Sequence, residues 1–447
     1  MIRRMATDAG TATAPIPRFP DGFLWGVSTS AHQIEGAAGE REPSVWDVFT
    51  AEPGRVRDGS TAAVACDHYH RHHEDVALLA DLGVDAYRFS VSWPRVNSPG
   101  GLDFYDRLVD ELCAAGVRPV PTLFHWDLPA RLDWLERDTA SRFAEYVSLV
   151  AARLGDRVTK WITLNEPAEH TLLGHALGVH APGRRLLFDA LPVAHHQLLA
   201  HGLAVRALRA AGAADIGIAN SHGPTWPASP EAADVEAADF YDVLLNRMFA
   251  EPILLGRYPE GIGELLPGDV EADLEIIAEP LDWYGINYYA PARVGAPQGA
   301  GTEFGGVTLP AELPFSLRAI EDRPVTDFGW PVVPEALTEL LTGFRDRYGD
   351  RLPPVVITEN GCSYEGLDDQ DRIAYLDGHV RALHRAVEAG VDVRGYFVWS
   401  LLDNFEWAEG YARRFGLVHV DFGNPATLER TPKASYRWFR EMLRGRR

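Results

Sequence analysis

Two textures alternate along the chain. Short runs of β-branched, aromatic and aliphatic residues are each followed by a longer stretch in which apolar positions recur every three or four residues. Eight of the short runs read as strands, at 23–28, 85–92, 117–125, 161–167, 215–221, 282–289, 354–361 and 393–400. Helical periodicity is clearest over 137–154, where Phe143, Tyr146, Val147, Val150, Ala151 and Leu154 share one face. Over 368–388 the stripe is Ile373, Leu376, Val380, Leu383 and Val387. Gly116 and Gly390 stand where the helices over 101–115 and 370–389 are expected to stop, since glycine accepts the left-handed backbone of a C-terminal cap.

Eight strands alternating with eight helices predict an α/β fold of a single (β/α)8 barrel. A doubly wound open sheet would carry a glycine-rich phosphate loop after its first strand, and FLWGVSTSAHQIEG has none. Residues 1–17 read as a flexible N-terminal tail and 18–447 as the barrel. The stretch 290–330 is rich in glycine and proline and has no clear period, so it reads as a long loop after strand six, on the functional face.

Composition narrows the partners. The chain of 447 residues is 46% hydrophobic and 24% charged, a globular balance, with a formal net charge of −22. Such an acidic protein has no electrostatic reason to hold nucleic acid or an anionic membrane, and favours neutral or cationic small partners. The N-terminus is basic but has no apolar segment behind it, and no apolar run of about 18 residues or more exists, so a cytoplasmic protein is expected. Cys66, Cys113 and Cys362 make no disulfide framework and read as free buried thiols. Only Lys160 and Lys433 are lysine; the other cations are arginine. Assembly into a homo-oligomer is left open.

In such a barrel the chemistry belongs at the C-terminal ends of the strands. Strand four stops at Asn165-Glu166-Pro167 and strand seven at Glu359-Asn360-Gly361. A buried carboxylate is costly unless it has a partner or a task. Two facing each other at roughly 5–5.5 Å would suit double displacement at a glycosidic carbon. The plain alternative is a pair of strand-end glutamates, each satisfied by neighbouring backbone. The surroundings favour chemistry: Gln33 follows strand one, His125, Trp126 and Asp127 follow strand three, Asn287 and Tyr289 end strand six, and Trp399, Glu406 and Trp407 follow strand eight. Indoles stack on pyranose C–H faces, while amides, carboxylates and imidazole bond hydroxyls.

The segments FPDGFLWGVSTSAHQIEGA (19–37), YRFSVSWPR (87–95), LFHWDLP (123–129), TLNEP (163–167), GINYY (285–289), ITENG (357–361), VWSLLDNFEWAEGY (398–411) and RFGLVHVDF (414–422) resemble glycoside hydrolase family 1, the β-glucosidase family, in that order and over about 18–440. The resemblance implies a retaining β-glucosidase with Glu359 as nucleophile and Glu166 as acid/base. It implies Arg88 and Tyr289 on the nucleophile, Asn165 on the sugar 2-hydroxyl, and Asn287 supporting the acid/base. Gln33, His125, Trp126, Trp399, Glu406 and Trp407 would bind the glycone. The substrate implied is a small-molecule or oligosaccharide β-glycoside, with glucose, galactose or fucose as glycone, and neither cofactor nor metal. A carboxylate at Glu406 would repel a 6-phosphosugar, and an acid at Glu166 differs from the Gln of thioglucosidases.

The chain departs from the family pattern at Ala168, where tryptophan is usual. The loss of that bulk is expected to alter the Glu166 carboxyl or open space on the aglycone side. Loops at 97–101, 130–136 and 362–369 look short, which predicts an open entrance. Three rival readings remain. The four histidines of DHYHRHHED (67–75) place His68 and His72 one helical turn apart, as a metal pair could be; barrel metallohydrolases want an HxH at the end of strand one, and only His32 is near. A catalytically weak carbohydrate-binding barrel and a transglycosidase would share the same residues. His195-His196, inside an amphipathic helix, reads as structural.

Overall fold

The computed structural model describes residues 15–299, 302–304 and 307–446. Eight parallel strands close on themselves in the order β1-β8-β7-β6-β5-β4-β3-β2. They are β1 (Leu24–Ser28), β2 (Ala86–Ser90), β3 (Arg118–Thr122), β4 (Trp161–Asn165), β5 (Ile216–Ser221), β6 (Tyr284–Asn287), β7 (Val355–Asn360) and β8 (Val393–Trp399). The ring closes where β1 runs beside β8, from Leu24 opposite Gly395 to Ser28 opposite Trp399. The barrel expected from the alternating pattern is the fold observed. Outside it lie the helices α1 (His68–Leu82), α2 (Gly101–Ala114), α3 (Asp138–Leu154), α4 (Leu191–Ala210), α5 (Val270–Ile277), α6 (Pro334–Tyr348), α7 (Gln370–Glu388) and α8 (Ala434–Gly445).

Alternation along each strand splits the apolar residues between two cores. One side chain per strand, or just before it, fills the barrel: Leu24, Ala86, Val120, Ile162, Ala219, Trp283, Val356 and Phe397. Large residues sit against small ones. A Cβ on Gly217 would lie 2.4 Å from the Trp283 indole, so only glycine fits beside it. The other strand faces meet the helix stripes, where Phe143, Val147, Val150 and Leu154 of α3 are wholly buried. Each such aliphatic or aromatic side chain contributes about 1.5–3 kcal/mol. Gly116 and Gly390 have φ of +73° and +91°, as their stop positions require.

Both lysines are buried. Lys160 is 3.0 Å from Asp215 and 4.1 Å from the centre of the Trp283 ring, and Lys433 is 2.8 Å from Asp403. The histidine-rich segment opens α1 and is used structurally. His68 is 2.8 Å from Asp75, which Arg430 also bonds, and His72 is 3.2 Å from Glu111. Among the described residues no group of three potential ligands is placed to hold a metal ion. His195 bonds Tyr258 and Asp273, and His196 the carbonyl of Trp134, inside α4. No described helix is long and apolar enough to cross a membrane.

Three expectations need correction or restriction. Cys66 and Cys362 are buried free thiols, but Cys113 is exposed, because it falls on the outer face of α2. The stretch 290–330 is not a plain loop: Ala292–Gly295 pairs with Thr225–Pro227 and Ser316–Arg318, and Thr302–Phe304 pairs with Val307–Leu309. Short strands bounded by glycine and proline leave too few residues for a visible period. Of the expected tail, residues 1–14 lie outside the described residues, and Ile16 packs against the main core.

Candidate active site

Both glutamates stand at a break in strand register. Along β4 and β5 the partners step from Ile162–Gly217 to Asn165–Ala219, three residues against two. Along β7 and β6 they step from Ile357–Ile286 to Glu359–Asn287. An extra residue on one strand re-aims the side chains that follow it. Glu166 then takes a left-handed backbone with φ +45° and ψ +60°. Trp126 and Trp407 share that region, at φ +76° and +52°. Such conformations cost on the order of 1–3 kcal/mol each and persist where the surroundings enforce them. Gly361 lies where β7 meets the end of β8: a Cβ there would be 1.8 Å from the Trp399 carbonyl oxygen.

A single hydrogen-bonded network joins the two carboxyls. Arg88 donates to Glu359 at 2.5 Å and to the Asn165 side-chain oxygen at 2.6 Å. The Tyr289 hydroxyl donates to the other Glu359 oxygen at 2.6 Å. Asn287 donates to Glu166 at 2.8 Å and to Asn165 at 3.0 Å, and is oriented by the Thr358 hydroxyl at 2.6 Å. The Asn165 amide nitrogen lies 3.1 Å from His125 Nε2, which leaves one amide N–H for a ligand. His125 in turn lies nearly parallel to Trp399 and Trp407, with centroids 5.6 and 5.9 Å away.

The two glutamates have unequal surroundings. Burial raises both. At Glu359 the Arg88 cation and the Tyr289 and Arg88 hydrogen bonds oppose that rise, so the net shift is upward but restrained. Among the described residues no cation pairs directly with Glu166; burial and the Glu359 charge push it well above the usual carboxyl range, with Asn287 and the Arg88 charge opposing only weakly. Glu359 is therefore the first of the pair to lose its proton and Glu166 the one that keeps it. Burial, then Glu359, raises Glu406 to about 8. Burial and Arg88 lower His125 far enough to keep it neutral.

Glu166, Glu359, His125, Trp126, Tyr289, Trp399, Glu406 and Trp407 all line one cavity of about 350 Å³ at the barrel mouth. Arg88, Asn165 and Asn287 are buried at its floor and bond the residues that line it. Two of the residues expected to contact sugar also hold neighbouring elements in place. Gln33 is wholly buried and its amide nitrogen is shared among Asn404, the Phe405 carbonyl and Glu406, so it fixes the loop that carries Glu406. The Trp126 indole N–H is taken by the Asn165 carbonyl at 2.9 Å, which leaves only a ring face for a ligand. Ala168 is buried and does not line the cavity; the wall past Glu166 is made by Glu169, Leu172 and Leu173.

The cavity also contains residues that the strand-end rule missed. Phe328 and Trp330 come from the long segment after β6, and Trp330 packs on Tyr289 with centroids 5.2 Å apart. The aromatic pair in a glycine- and proline-rich stretch was the available signal. Leu177, Tyr241 and Leu245 come from helical turns outside the barrel proper and carried none.

A closed barrel whose mouth holds one restrained and one strongly raised carboxyl, beside stacked indoles, is the architecture of a sugar-processing hydrolase. Comparison with known sequences agrees. The profile of glycosyl hydrolase family 1 matches residues 16–447, and the chain belongs to that family. It is 45% identical to thermostable β-glucosidase B of Thermobispora bispora, over 95% of this chain and 90% of that protein. It is 41% identical to a bifunctional β-D-glucosidase/β-D-fucosidase of Bifidobacterium breve, over 95% and 98%. The crystal structure of a psychrophilic β-glucosidase from Micrococcus antarcticus superposes with a TM-score of 0.90 at 43% identity, covering 96% of this chain and 98% of that one.

Proposed function

We propose that this protein is a retaining β-glucosidase that removes terminal non-reducing β-D-glucosyl residues by double displacement. The observation that carries the reading is the inequality of the two carboxyls, Glu359 bonded by Arg88 and Tyr289, Glu166 pushed up and with no cation bonded to it. Glu359 attacks the anomeric carbon while Glu166 gives its proton to the leaving oxygen. The glycosyl ester removes the Glu359 charge, which lowers the Glu166 carboxyl and lets it take a proton from water. Water then attacks the anomeric carbon and frees Glu359. Asn165 offers its remaining N–H to the sugar 2-hydroxyl; Trp399, Trp407, His125 and Glu406 hold the ring. Both acid–base groups are side chains and the co-substrate is water, so the reaction needs no cofactor.

The activity of the Bifidobacterium breve relative supports β-D-fucosides as second substrates. β-D-Galactosides follow if Glu406 accepts an axial as well as an equatorial 4-hydroxyl. The deciding test is hydrolysis of 2,4-dinitrophenyl β-D-glucoside by wild type and by Glu359→Gly, with and without azide. The variant should be inactive alone and yield the α-glucosyl azide when azide is added. Formation of the β-azide, or full activity without azide, overturns the assignment of the nucleophile.

A further inference from the structure

We propose that Glu169 selects the leaving group, and that the favoured aglycone is an apolar, ring-sized moiety bearing a protonated amine. The proposal rests on the β-glucosidase reading of the same site.

Glu169 follows Glu166 by three residues, one turn further along the chain, and lines the cavity with it. Its one hydrogen bond is from the Ser221 hydroxyl at the end of β5, 3.2 Å from Oε1. Among the described residues nothing bonds Oε2 and no cation pairs with the carboxyl. The contrast within the same wall is Glu409, which is 2.8 Å from Arg57 and 2.9 Å from Arg413. Around Glu169 the wall is apolar: Leu172, Leu173, Leu177, Tyr241 and Leu245. Burial raises the Glu169 carboxyl, the cost of an acidic group left without a counter-charge among leucines, and a ligand that supplies the charge recovers that cost.

The rest of the cavity sharpens the sign. Among the described residues Glu359, Glu169 and Glu409 line it beside the proton-bearing Glu166 and Glu406, and no lysine or arginine does. Its histidines are neutral, burial lowering His180 to about 3 and His222 to about 4. Such a mouth attracts cations and rejects anions.

Barrel order fixes which half of the substrate meets Glu169. β1 and β8, which lead to Gln33 and Glu406, lie across the ring from β5 and β4, which lead to Ser221 and Glu169. Glu166 directly follows β4 and so belongs to the same side as Glu169. A leaving oxygen that takes its proton from Glu166 therefore directs its substituent toward the β4–β5 side. There the leucines cover a ring, and Glu169 Oε2 is free to accept from an ammonium one bond beyond it. The Glu169 charge also helps to raise Glu166. An ammonium beside Glu169 screens that effect, so the basic limb of the pH profile should fall earlier for a cationic substrate than for a neutral one.

The test compares 4-(aminomethyl)phenyl and 4-methylphenyl β-D-glucoside, which share ring and glycone, with wild type, Glu169→Gln and Glu169→Leu. Circular-dichroism melts establish that each variant is folded. The ratio of kcat/KM between the two substrates should drop roughly ten- to hundredfold in both variants, as loss of one charge-assisted hydrogen bond implies. An unchanged ratio in both variants overturns the proposal. So does a drop in Glu169→Leu alone, because the site would then read a neutral hydrogen bond and no charge. Calorimetry of the free leaving groups, 4-hydroxybenzylamine against 4-methylphenol, gives the same contrast without turnover. Preference for the amine in wild type, lost in Glu169→Gln, supports Glu169 even if no β-glucoside is hydrolysed; absence of preference overturns it.

Discussion

Replacing Tyr289 by Phe isolates the control of the proposed nucleophile. The hydroxyl donates to Glu359 at 2.6 Å, while the ring packs on Trp330 and would stay. A hydrogen bond to a charged, buried group is worth about 1.5–3 kcal/mol. At 1.36 kcal/mol per unit, its loss lifts the Glu359 carboxyl by about 1–2 units. Glu359 must be ionised to attack, so the acidic limb of kcat/KM against pH should move up by that amount, and activity at low pH should be lost first. The basic limb belongs to Glu166, whose own bond to Asn287 is untouched, and should move less. The assay is kcat/KM for an aryl β-D-glucoside from pH 4 to 10, with a thermal melt to confirm folding. An acidic limb that stays within about 0.3 unit of wild type, or a basic limb that moves instead, would refute the division of roles between the two carboxyls.

Gly361→Ala should lower the melting temperature sharply and abolish activity, because the added carbon meets the Trp399 carbonyl oxygen at 1.8 Å and neither strand end can yield. Asp127, buried and lifted to about 8, stabilises the fold most below the ordinary aspartate value of about 4, and that stability is lost as pH rises through 8. Asp127→Asn removes the titration, so denaturant unfolding should show the variant gaining on wild type by a few kcal/mol between pH 4 and 8; parallel curves would exclude it. Thiol counting with a disulfide reagent should find one reactive group in the native protein, Cys113, and three after denaturation.

The barrel was legible because its signal is repeated: a slip in one βα unit leaves seven others. Strand starts agree to within two residues, but the predicted strands 117–125 and 161–167 run past the observed ends at Thr122 and Asn165. The excess covers His125 and Glu166, where apolar and aromatic composition continues while the backbone turns left-handed at Trp126 and Glu166. Bulges cannot be read from a pattern of apolar positions, because they depend on how many residues the neighbouring strand supplies. For the same reason the sequence placed these side chains near the strand ends, yet gave no sign that Gln33 bonds Glu406. Glu169 was missed because its meaning lies in what fails to surround it.

The placement of the two lysines reaches beyond the fold. Both amines are enclosed, so reagents that acylate or form imines with lysine find no such target on the folded surface. Acylation of the two lysines by an activated ester, counted apart from the α-amine, therefore becomes a gauge of unfolding, near zero while the barrel is closed and rising as it opens. The outward-facing cations are arginines, which hold their charge to pH 12 and above. Surface cross-linking and immobilisation would then turn to groups other than lysine, such as carboxylates or Cys113.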